Sequence, residues 1–292
     1  MAKKTHKLSI WEVYKTSRPV WWITTAAPFV AGYLVVHPQV DDPAMLWIGT
    51  VYFAICYNLL MYGINDIFDY ESDIRNPRKT GVLVKQKHLP LIGVILALNI
   101  PFWVYFVVVG GWPSTIWLVL MLFMVVAYSV KGLRFKEVPF LDSLTSSFHY
   151  TSPFIFGVLL SGGQYLWLPA WLAFFIWAMG NHALGAIQDI KPDREAGIAS
   201  IATKLGAEKT IVFCLSAYIA AAVLPVLYYG WRGLLVTIVL LWYVLFMASA
   251  IPFRHRSDHV VFRRMWRMLT FMNYVAGGLI SIYLLWLGAT LR

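Results

Sequence analysis

Long apolar stretches, each close to the length of one bilayer-crossing helix, alternate with short charged connections along the whole chain. Because a bilayer core requires about 20 apolar residues per helix, this pattern predicts an all-α membrane protein with nine transmembrane helices. Glycine-containing turns at residues 110–113 and 161–164 divide two of the longest uncharged stretches. The predicted spans are residues 19–36, 44–64, 89–109, 114–130, 140–160, 167–188, 210–229, 233–253 and 268–291.

The composition agrees with this pattern. Of the 292 residues, 60% are hydrophobic and 13% are charged, whereas soluble domains average about 45–50% apolar and about 25% charged residues. The mean hydropathy is +0.66. These values exclude a soluble globular enzyme, a secreted domain and a disordered chain.

Basic residues are concentrated on one side of the predicted bundle. The segments on the N-terminal side of the membrane contain 22 of the 24 Lys and Arg residues, and only Arg232 and Arg292 lie on the other side. Because cytoplasmic loops carry the basic excess, we expect the N-terminus inside the cell and the C-terminus outside. We therefore attribute the net charge of +10 to membrane topology and to contact with membrane lipids, and we expect no nucleic-acid partner. We expect the protein to lie in the cell membrane.

The acidic residues show a second regularity. Seven of the 14 Asp and Glu residues lie in two short segments, residues 66–73 and 189–195. Each segment follows the second helix in a group of four predicted helices. We therefore expect one intramembrane domain, residues 1–292, with four-helix halves at 19–130 and 140–253 and a ninth helix at 268–291.

The spacing in the first acidic segment predicts a shared helix face. Asn65, Asp69 and Asp73 lie four residues apart, and Asp66 lies three residues before Asp69. Like charges at this spacing repel one another, so a compensating cation is expected. Hard divalent cations with oxygen ligands suit such a face.

The second acidic segment repeats this spacing with Asp189 and Asp193. Pro192 is expected to break the preceding helix, because proline cannot continue the hydrogen-bond ladder. Two carboxylate clusters at one membrane face predict bound Mg²⁺ with a diphosphate between them, since Mg²⁺ binds through one or two carboxylates plus substrate phosphates.

The paired motifs resemble the aspartate signature of the UbiA superfamily of intramembrane prenyltransferases. The resemblance covers essentially the whole chain and implies nine helices around a lipid-open cavity, with both motifs at its cytoplasmic end. It implies Mg²⁺ as the cofactor and a prenyl diphosphate as the donor. The implied metal ligands are Asn65, Asp69, Asp73, Asp189 and Asp193, and Asp66 joins the four aspartates as a candidate catalytic residue.

Cations and a tyrosine complete the candidate set. The resemblance implies Arg18, Tyr128, Arg134 and Lys136 as diphosphate contacts, together with Asn65. Three further basic residues on the side of the motifs are candidates for the same role: Lys131, Arg194 and Lys204.

Two longer strings narrow the resemblance. Residues 62–79 (YGINDIFDYESDIRNPRK) and 135–149 (FKEVPFLDSLTSSFH) are similar to the lycopene elongase branch, which adds five-carbon prenyl units to the ends of lycopene. This implies transfer from dimethylallyl diphosphate to lycopene in fifty-carbon carotenoid biosynthesis. An aromatic, quinone or other lipid acceptor is the alternative, and enzymes of the same pathway are candidate partners.

A secondary transporter is the rival from another functional class. Carriers place ionisable groups and broken helices near the membrane midplane. Here the acidic residues are concentrated at one predicted membrane face, and the midplane segments are nearly uncharged. The charge distribution therefore favours an enzyme.

Three polar residues in the fifth and sixth spans complete the expectations. His149 and His182 lie within apolar runs, where an interhelical hydrogen bond and a functional role are equally good interpretations. Asp142 is expected to cap the N-terminus of the fifth span. The cavity wall below the two motifs is expected to be almost wholly apolar and aromatic, because lycopene has no polar group.

Overall fold

The computed structural model describes residues 7–36, 43–74, 83–163, 165–254 and 259–290, and over these residues it contains helices and no strand. The all-α prediction is confirmed. The α-helices are α1 (Ile10–Thr16), α2 (Ile23–Val36), α3 (Pro43–Val51), α4 (Tyr57–Phe68), α5 (Tyr70–Asp73), α6 (His88–Ser129), α7 (Leu141–Leu160), α8 (Leu168–Ile187), α9 (Ile190–Glu195), α10 (Ile201–Tyr229), α11 (Leu234–Ala248) and α12 (His259–Thr290).

Within the described ranges, six helical segments are long and apolar enough to cross a membrane. Two of them, Lys85–Ser129 and Ile201–Phe253, have 45 and 53 residues, about twice what one crossing needs. Each segment is interrupted by a glycine with positive φ, Gly111 at 70° and Gly230 at 58°. Each segment is therefore long enough for two crossings and contains a break in the helix between them. The count of nine crossings and the orientation stay predictions.

A π-helical turn, Tyr52–Cys56, joins α3 to α4. The wider turn leaves carbonyls without their usual helical partners, and the buried Asn58 amide donates to Phe53 O at 2.8 Å and Ala54 O at 3.0 Å. Asn58 also donates to Thr25 Oγ1 at 2.6 Å. These hydrogen bonds hold α4, which carries the first acidic motif, against α2.

The two largest of the three hydrophobic cores in the described residues hold most of the bundle together. One contains an aromatic cluster from α2, the π-helical turn, α6 and α7, and it includes Phe29, Phe53, Phe106 and Phe156. The other is formed by α8, α10, α11 and α12. Helix α7 lies at the centre, because it packs against α2, α6 and α8. The division into halves at 19–130 and 140–253 stays a prediction.

Helices α2 and α7 touch through their backbones. A Cβ on Gly32 would lie 1.9 Å from Phe154 O, and one on Gly157 would lie 2.4 Å from Phe29 O. Only glycine permits this approach, since a side chain at either position would overlap the facing carbonyl. The contact is the small-residue packing that brings membrane helices together without a hydrophobic driving force.

Candidate active site

The first acidic motif lies where α4 ends and α5 begins. Asp69 is the C-cap residue of α4, and its N–H donates to Asn65 O at 2.9 Å. The Asp73 N–H donates to Asp69 O, also at 2.9 Å. The structure therefore keeps the four-residue spacing of Asn65, Asp69 and Asp73 across the junction. Asn65 in turn donates to Ser129 Oγ at 3.3 Å, which ties α4 to the end of α6.

Three cations contact the carboxylates of this motif. The Arg18 guanidinium donates to Asp66 Oδ1 at 2.7 Å. Asp69 Oδ1 contacts Lys136 Nζ and lies 3.5 Å from Arg134 Nη2. The side chains of Lys136 and Asp69 are each only 12% exposed, so little water screens their attraction.

The pKa values of two of these cations are shifted. Arg134 donates to Glu137 at 2.6 Å, and this hydrogen bond raises the pKa of the arginine. Burial lowers the pKa of Lys136, and the adjacent Asp69 carboxylate opposes that effect. Removing Asp69 would therefore favour the neutral form of Lys136, whereas the Arg134 guanidinium stays charged with or without Glu137.

Backbone strain is concentrated at the same place. Arg18 has a φ of 53° and Arg134 a φ of 47°, and Phe140 is the other non-glycine residue with positive φ in the described residues. A left-handed conformation costs about 1 kcal/mol or more for such residues and is found most often at functional sites. Two of the three strained residues, Arg18 and Arg134, are therefore arginines that contact the first acidic motif.

The second acidic motif has the same backbone pattern. Asp189 precedes the short helix α9, and the Asp193 N–H donates to Asp189 O at 2.9 Å. Pro192 lies in the first turn of α9, where a missing N–H is tolerated. Helix α8 ends at Ile187, so it stops before the proline as expected, although the proline itself is helical.

Three of the candidate cations lie away from the carboxylates of the first motif. Lys131, Arg194 and Lys204 are exposed. Arg194 donates to Thr203 O at 3.0 Å, a carbonyl at the start of α10. These three residues remain candidates for diphosphate contact, and the structure gives them no place beside Asp66 or Asp69.

A layer of aromatic and polar side chains lies one to two helical turns below the motifs. Tyr62, one turn before Asp66, places its ring 5.0 Å from the Arg18 guanidinium carbon and its hydroxyl 2.8 Å from the Tyr150 hydroxyl. The Tyr128 ring lies 5.2 Å from that of His149. The expectation of an almost wholly apolar wall did not include this layer. This polar layer consists of Tyr62, Tyr128, Asp142, His149, Tyr150 and His182.

The expected role of Asp142 is wrong. Helix α7 begins after Phe140 without a side-chain cap, and Asp142 lies within its first turn. Its Oδ2 accepts a 2.8 Å hydrogen bond from the N–H of Ile201, at the start of α10. The carboxylate thus stabilises the N-terminus of a distant helix, and a local cap pattern could not have predicted a contact across 59 residues.

Sequence reasoning also missed Tyr62, Tyr150 and Ser129. A signal for Tyr62 was present, because it lies on the helix face of Asp66. Tyr150 and Ser129 gave no signal, since each is one polar residue inside an apolar span whose partner lies on another helix.

Comparison with known proteins identifies the family. The sequence model described as the UbiA prenyltransferase family matches residues 25–288 of the chain. The chain belongs to the UbiA prenyltransferase family. It is therefore an integral-membrane prenyltransferase, and the interpretation as an enzyme is confirmed.

Two curated relatives resemble the chain over most of its length. It is 42% identical over 279 residues to a lycopene elongase/hydratase of Corynebacterium glutamicum, covering 92% of this chain and 95% of that protein. It is 40% identical over 281 residues to the C(50) beta-cyclic carotenoids biosynthesis protein LbtBC of Dietzia sp. (strain CQ4). That match covers 94% of this chain and spans 64% of the relative's length. The resemblance to the lycopene elongase branch is confirmed.

A solved structure shares the fold. A UbiA homolog from Archaeoglobus fulgidus bound to DMAPP and Mg²⁺ superposes with a TM-score of 0.71 at 15% identity, covering 96% of this chain and 99% of that one. At this level of identity the likeness supports the helical arrangement alone.

Proposed function

We propose that this prenyltransferase moves the dimethylallyl group of dimethylallyl diphosphate to the ends of lycopene, with Mg²⁺, on the cytoplasmic side of the cell membrane. The observation that carries the proposal is the contact of Arg18, Arg134 and Lys136 with the first acidic motif. Carboxylates for a metal and cations for a diphosphate are thereby present side by side. The homolog bound to DMAPP and Mg²⁺ supports the same pairing of ligands.

The donor atoms at the motifs fit Mg²⁺. The side chains of five residues offer oxygen ligands at the C-terminal ends of α4 and α8, and oxygen is what Mg²⁺ prefers: Asn65, Asp69, Asp73, Asp189 and Asp193. In the described part of the chain, no group of three or more His, Cys, Asp or Glu side chains is placed to hold a metal ion by itself. The proposal therefore requires substrate phosphates to complete the coordination, as they commonly do for Mg²⁺. When bound, Mg²⁺ supplies charge neutralisation for the diphosphate leaving group.

The chain's own cations act on the leaving group. The amino group of Lys136 and the guanidinium groups of Arg18 and Arg134 can turn from the carboxylates to oxygens of the diphosphate. As the C–O bond ionises, its electron pair stays with the diphosphate, and these donors stabilise the growing negative charge. Stabilisation of developing charge by preorganised groups is usually the largest contribution to such a reaction.

The polar layer suits the allylic cation that this ionisation leaves. The rings of Tyr62, Tyr128 and Tyr150 lie directly below the proposed diphosphate site, and Tyr62 already presents its face to a cation, Arg18. Each such contact is worth about 0.5–2 kcal/mol. The surrounding apolar helices exclude the water that would otherwise capture the cation.

Lycopene is the proposed acceptor because the relatives that match nearly the whole chain are named for its elongation. An apolar polyene must enter sideways from the lipid, and its terminal double bond supplies the electrons for the new C–C bond. An acceptor with a polar head group is the second candidate. The specific observation in its favour is the polar layer, whose hydroxyl and imidazole groups could bind such a head.

The test is turnover in nanodiscs with Mg²⁺, labelled dimethylallyl diphosphate and separate acceptors: lycopene, a quinone precursor and a glycerolipid. We expect labelled product with lycopene, loss of product with a chelator and recovery on adding Mg²⁺. Asp69→Asn and Asp189→Asn should each lower turnover about 100-fold or more, because each removes a charged ligand.

The matched control is Glu208→Gln. Glu208 is an exposed acid on α10 that lies 3.5 Å from Arg254 and belongs to neither acidic motif. The Glu208→Gln variant should keep turnover near that of the wild type. Full turnover of correctly inserted Asp69→Asn and Asp189→Asn variants would contradict the proposed metal site. If labelled product forms with the quinone precursor and not with lycopene, the acceptor is the second candidate, a molecule with a polar head group.

A further inference from the structure

Asp142 is a buried carboxylate that the proposed diphosphate chemistry does not use. It is 1% exposed, and Oδ2 is occupied by the Ile201 N–H at 2.8 Å. In the described residues, Oδ1 has no hydrogen-bond partner. A buried acceptor without a donor costs about 1–3 kcal/mol, and more when charged. An oxygen left in this state at the level of the proposed reaction points to a role in binding a proton or its carrier.

His182 is the titratable group beside this carboxylate. Its Nε2 lies 3.7 Å from Asp142 Oδ2, just outside hydrogen-bond range, and a turn of the imidazole ring would close the gap. The His182 side chain is 24% exposed. Asp189 follows seven residues later, just beyond the end of α8 at Ile187.

Electrostatic interactions link this pair to the first acidic motif. His149 lies within electrostatic reach of His182, and Tyr128 lies within reach of both Asp142 and Asp69. In the part of the chain that the structure describes, His149 Nε2 has no hydrogen-bond partner. Three helices, α6, α7 and α8, thus contribute ionisable groups to one interacting set that includes Asp69.

We propose that His182 is the base that accepts the proton released at the end of prenyl transfer, and that Asp142 is the residue that positions it. This inference rests on the proposed function. The acceptor's π electrons form the new C–C bond to the allylic carbon and leave a tertiary cation on the neighbouring carbon. The C–H electron pair of the next carbon then becomes a new C=C bond, and the proton passes to the imidazole nitrogen of His182. The resulting imidazolium lies beside the Asp142 carboxylate.

Water is the competitor of this step. If no base removes the C–H proton, a water oxygen can add to the tertiary cation and then lose one of its own protons to solvent water, which gives an alcohol that is heavier than the alkene by one water. The ratio of alkene to alcohol therefore reports whether a base is present. A residue that merely supports the fold changes the total yield of both products and leaves their ratio unchanged.

The experiment compares products from lycopene, dimethylallyl diphosphate and Mg²⁺ in nanodiscs, separated by chromatography and identified by mass. The wild type should give mainly alkene. His182→Gln should lower alkene formation about 100-fold, as expected for loss of a general base, and raise the alcohol fraction. Pyrophosphate release should change far less, because ionisation precedes the proton transfer.

Asp142→Asn is the second variant. The asparagine carbonyl can still accept the Ile201 hydrogen bond, so the start of α10 keeps its cap while the charge beside His182 is lost. We expect a shift toward alcohol in the same direction, about tenfold, a smaller effect than loss of the base itself. This variant tests the proposal even where His182→Gln does not fold.

Asn181→Ala is the matched control. Asn181 precedes His182 but accepts a hydrogen bond from Tyr218 on α10 at 2.8 Å, so its loss should reduce stability and leave the product ratio unchanged. A wild-type ratio in both His182→Gln and Asp142→Asn overturns the proposal, as does an equal shift in Asn181→Ala. Absence of any prenylated lycopene with the wild-type enzyme overturns the proposed function itself, and the role of His182 with it.

Discussion

The Arg18 guanidinium donates a 2.7 Å hydrogen bond to Asp66 Oδ1 while it lies over the ring of Tyr62, 5.0 Å from its centroid. The arginine therefore joins the segment before α2 to the end of α4, at a backbone φ of 53° that costs strain. This combination of strain and a charge-assisted contact makes Arg18 the first residue to test in the proposed diphosphate site.

Arg18→Gln should lower prenyl transfer about tenfold or more, because it removes a charge-assisted hydrogen bond and a diphosphate donor together. Steady-state kinetics in nanodiscs would show the loss mainly as a higher KM for the diphosphate. Lys15→Gln is the control, since Lys15 lies over Trp11 on the exposed face of α1. Equal kinetics for the two variants would refute the role of Arg18.

Lys136→Gln tests the second anchor of the site. Its amino group contacts Asp69, and both side chains are largely buried, so glutamine would leave the carboxylate without its nearest cation. We expect turnover to fall about tenfold to 100-fold, with a weaker response to added Mg²⁺ because Asp69 is left less well oriented. Lys136→Arg should recover part of the activity, since the charge is restored with a different geometry.

The control for Lys136 is Arg254→Gln, an exposed cation 3.5 Å from Glu208. It should leave turnover and the response to Mg²⁺ unchanged. A Lys136→Gln enzyme with wild-type kinetics would mean that the contact with Asp69 has no part in binding the diphosphate.

The sequence predicted what is encoded locally and missed what is encoded across helices. The four-residue spacing of Asn65 and Asp69 is local, so a helical period sufficed to place them on one face. The Tyr62–Tyr150 hydroxyl pair joins residues 88 positions apart, and no periodicity in either helix indicates it.

Asp142 illustrates a second limit. Its position near a proline suggested a cap for its own helix, a short-range rule that is correct on average. Tertiary packing instead brings the start of α10 to its side chain. The same packing gives His182 a carboxylate neighbour, so the contacts that decide between a structural and a catalytic histidine exist only in the folded bundle.

Gly32→Ala should destabilise the bundle, because the new Cβ would lie 1.9 Å from Phe154 O, a backbone atom that cannot move aside. Forcing α2 from α7 should cost about 1–3 kcal/mol, seen as a lower Tm in detergent. Gly93→Ala on α6 is the matched control, since its Cβ meets no atom within 4 Å. It should keep or slightly raise the Tm, as alanine favours a helix over glycine. Equal losses of Tm in both variants would show that the close α2–α7 contact does not set the stability.

The ion pair between Glu12 and Lys87 ties α1 to the start of α6 with a 2.5 Å contact. The hydrogen bond from Lys87 lowers the pKa of Glu12 to about 2 from an ordinary value of 4.5. Because the folded pKa is the lower one, the pair stabilises the protein above pH 4.5, and this contribution is lost as the pH falls toward 2.

Lys87→Met should therefore lower the Tm by about 2 °C at pH 7, and the difference in Tm between this variant and the wild type should shrink below pH 4.5. Lys85→Met is the control, because Lys85 is 73% exposed and 3.7 Å from Glu71, and its Tm should follow that of the wild type at every pH. A gap between Lys87→Met and the wild type that widens on acidification would refute the assignment, since protonation of Glu12 can only weaken this pair.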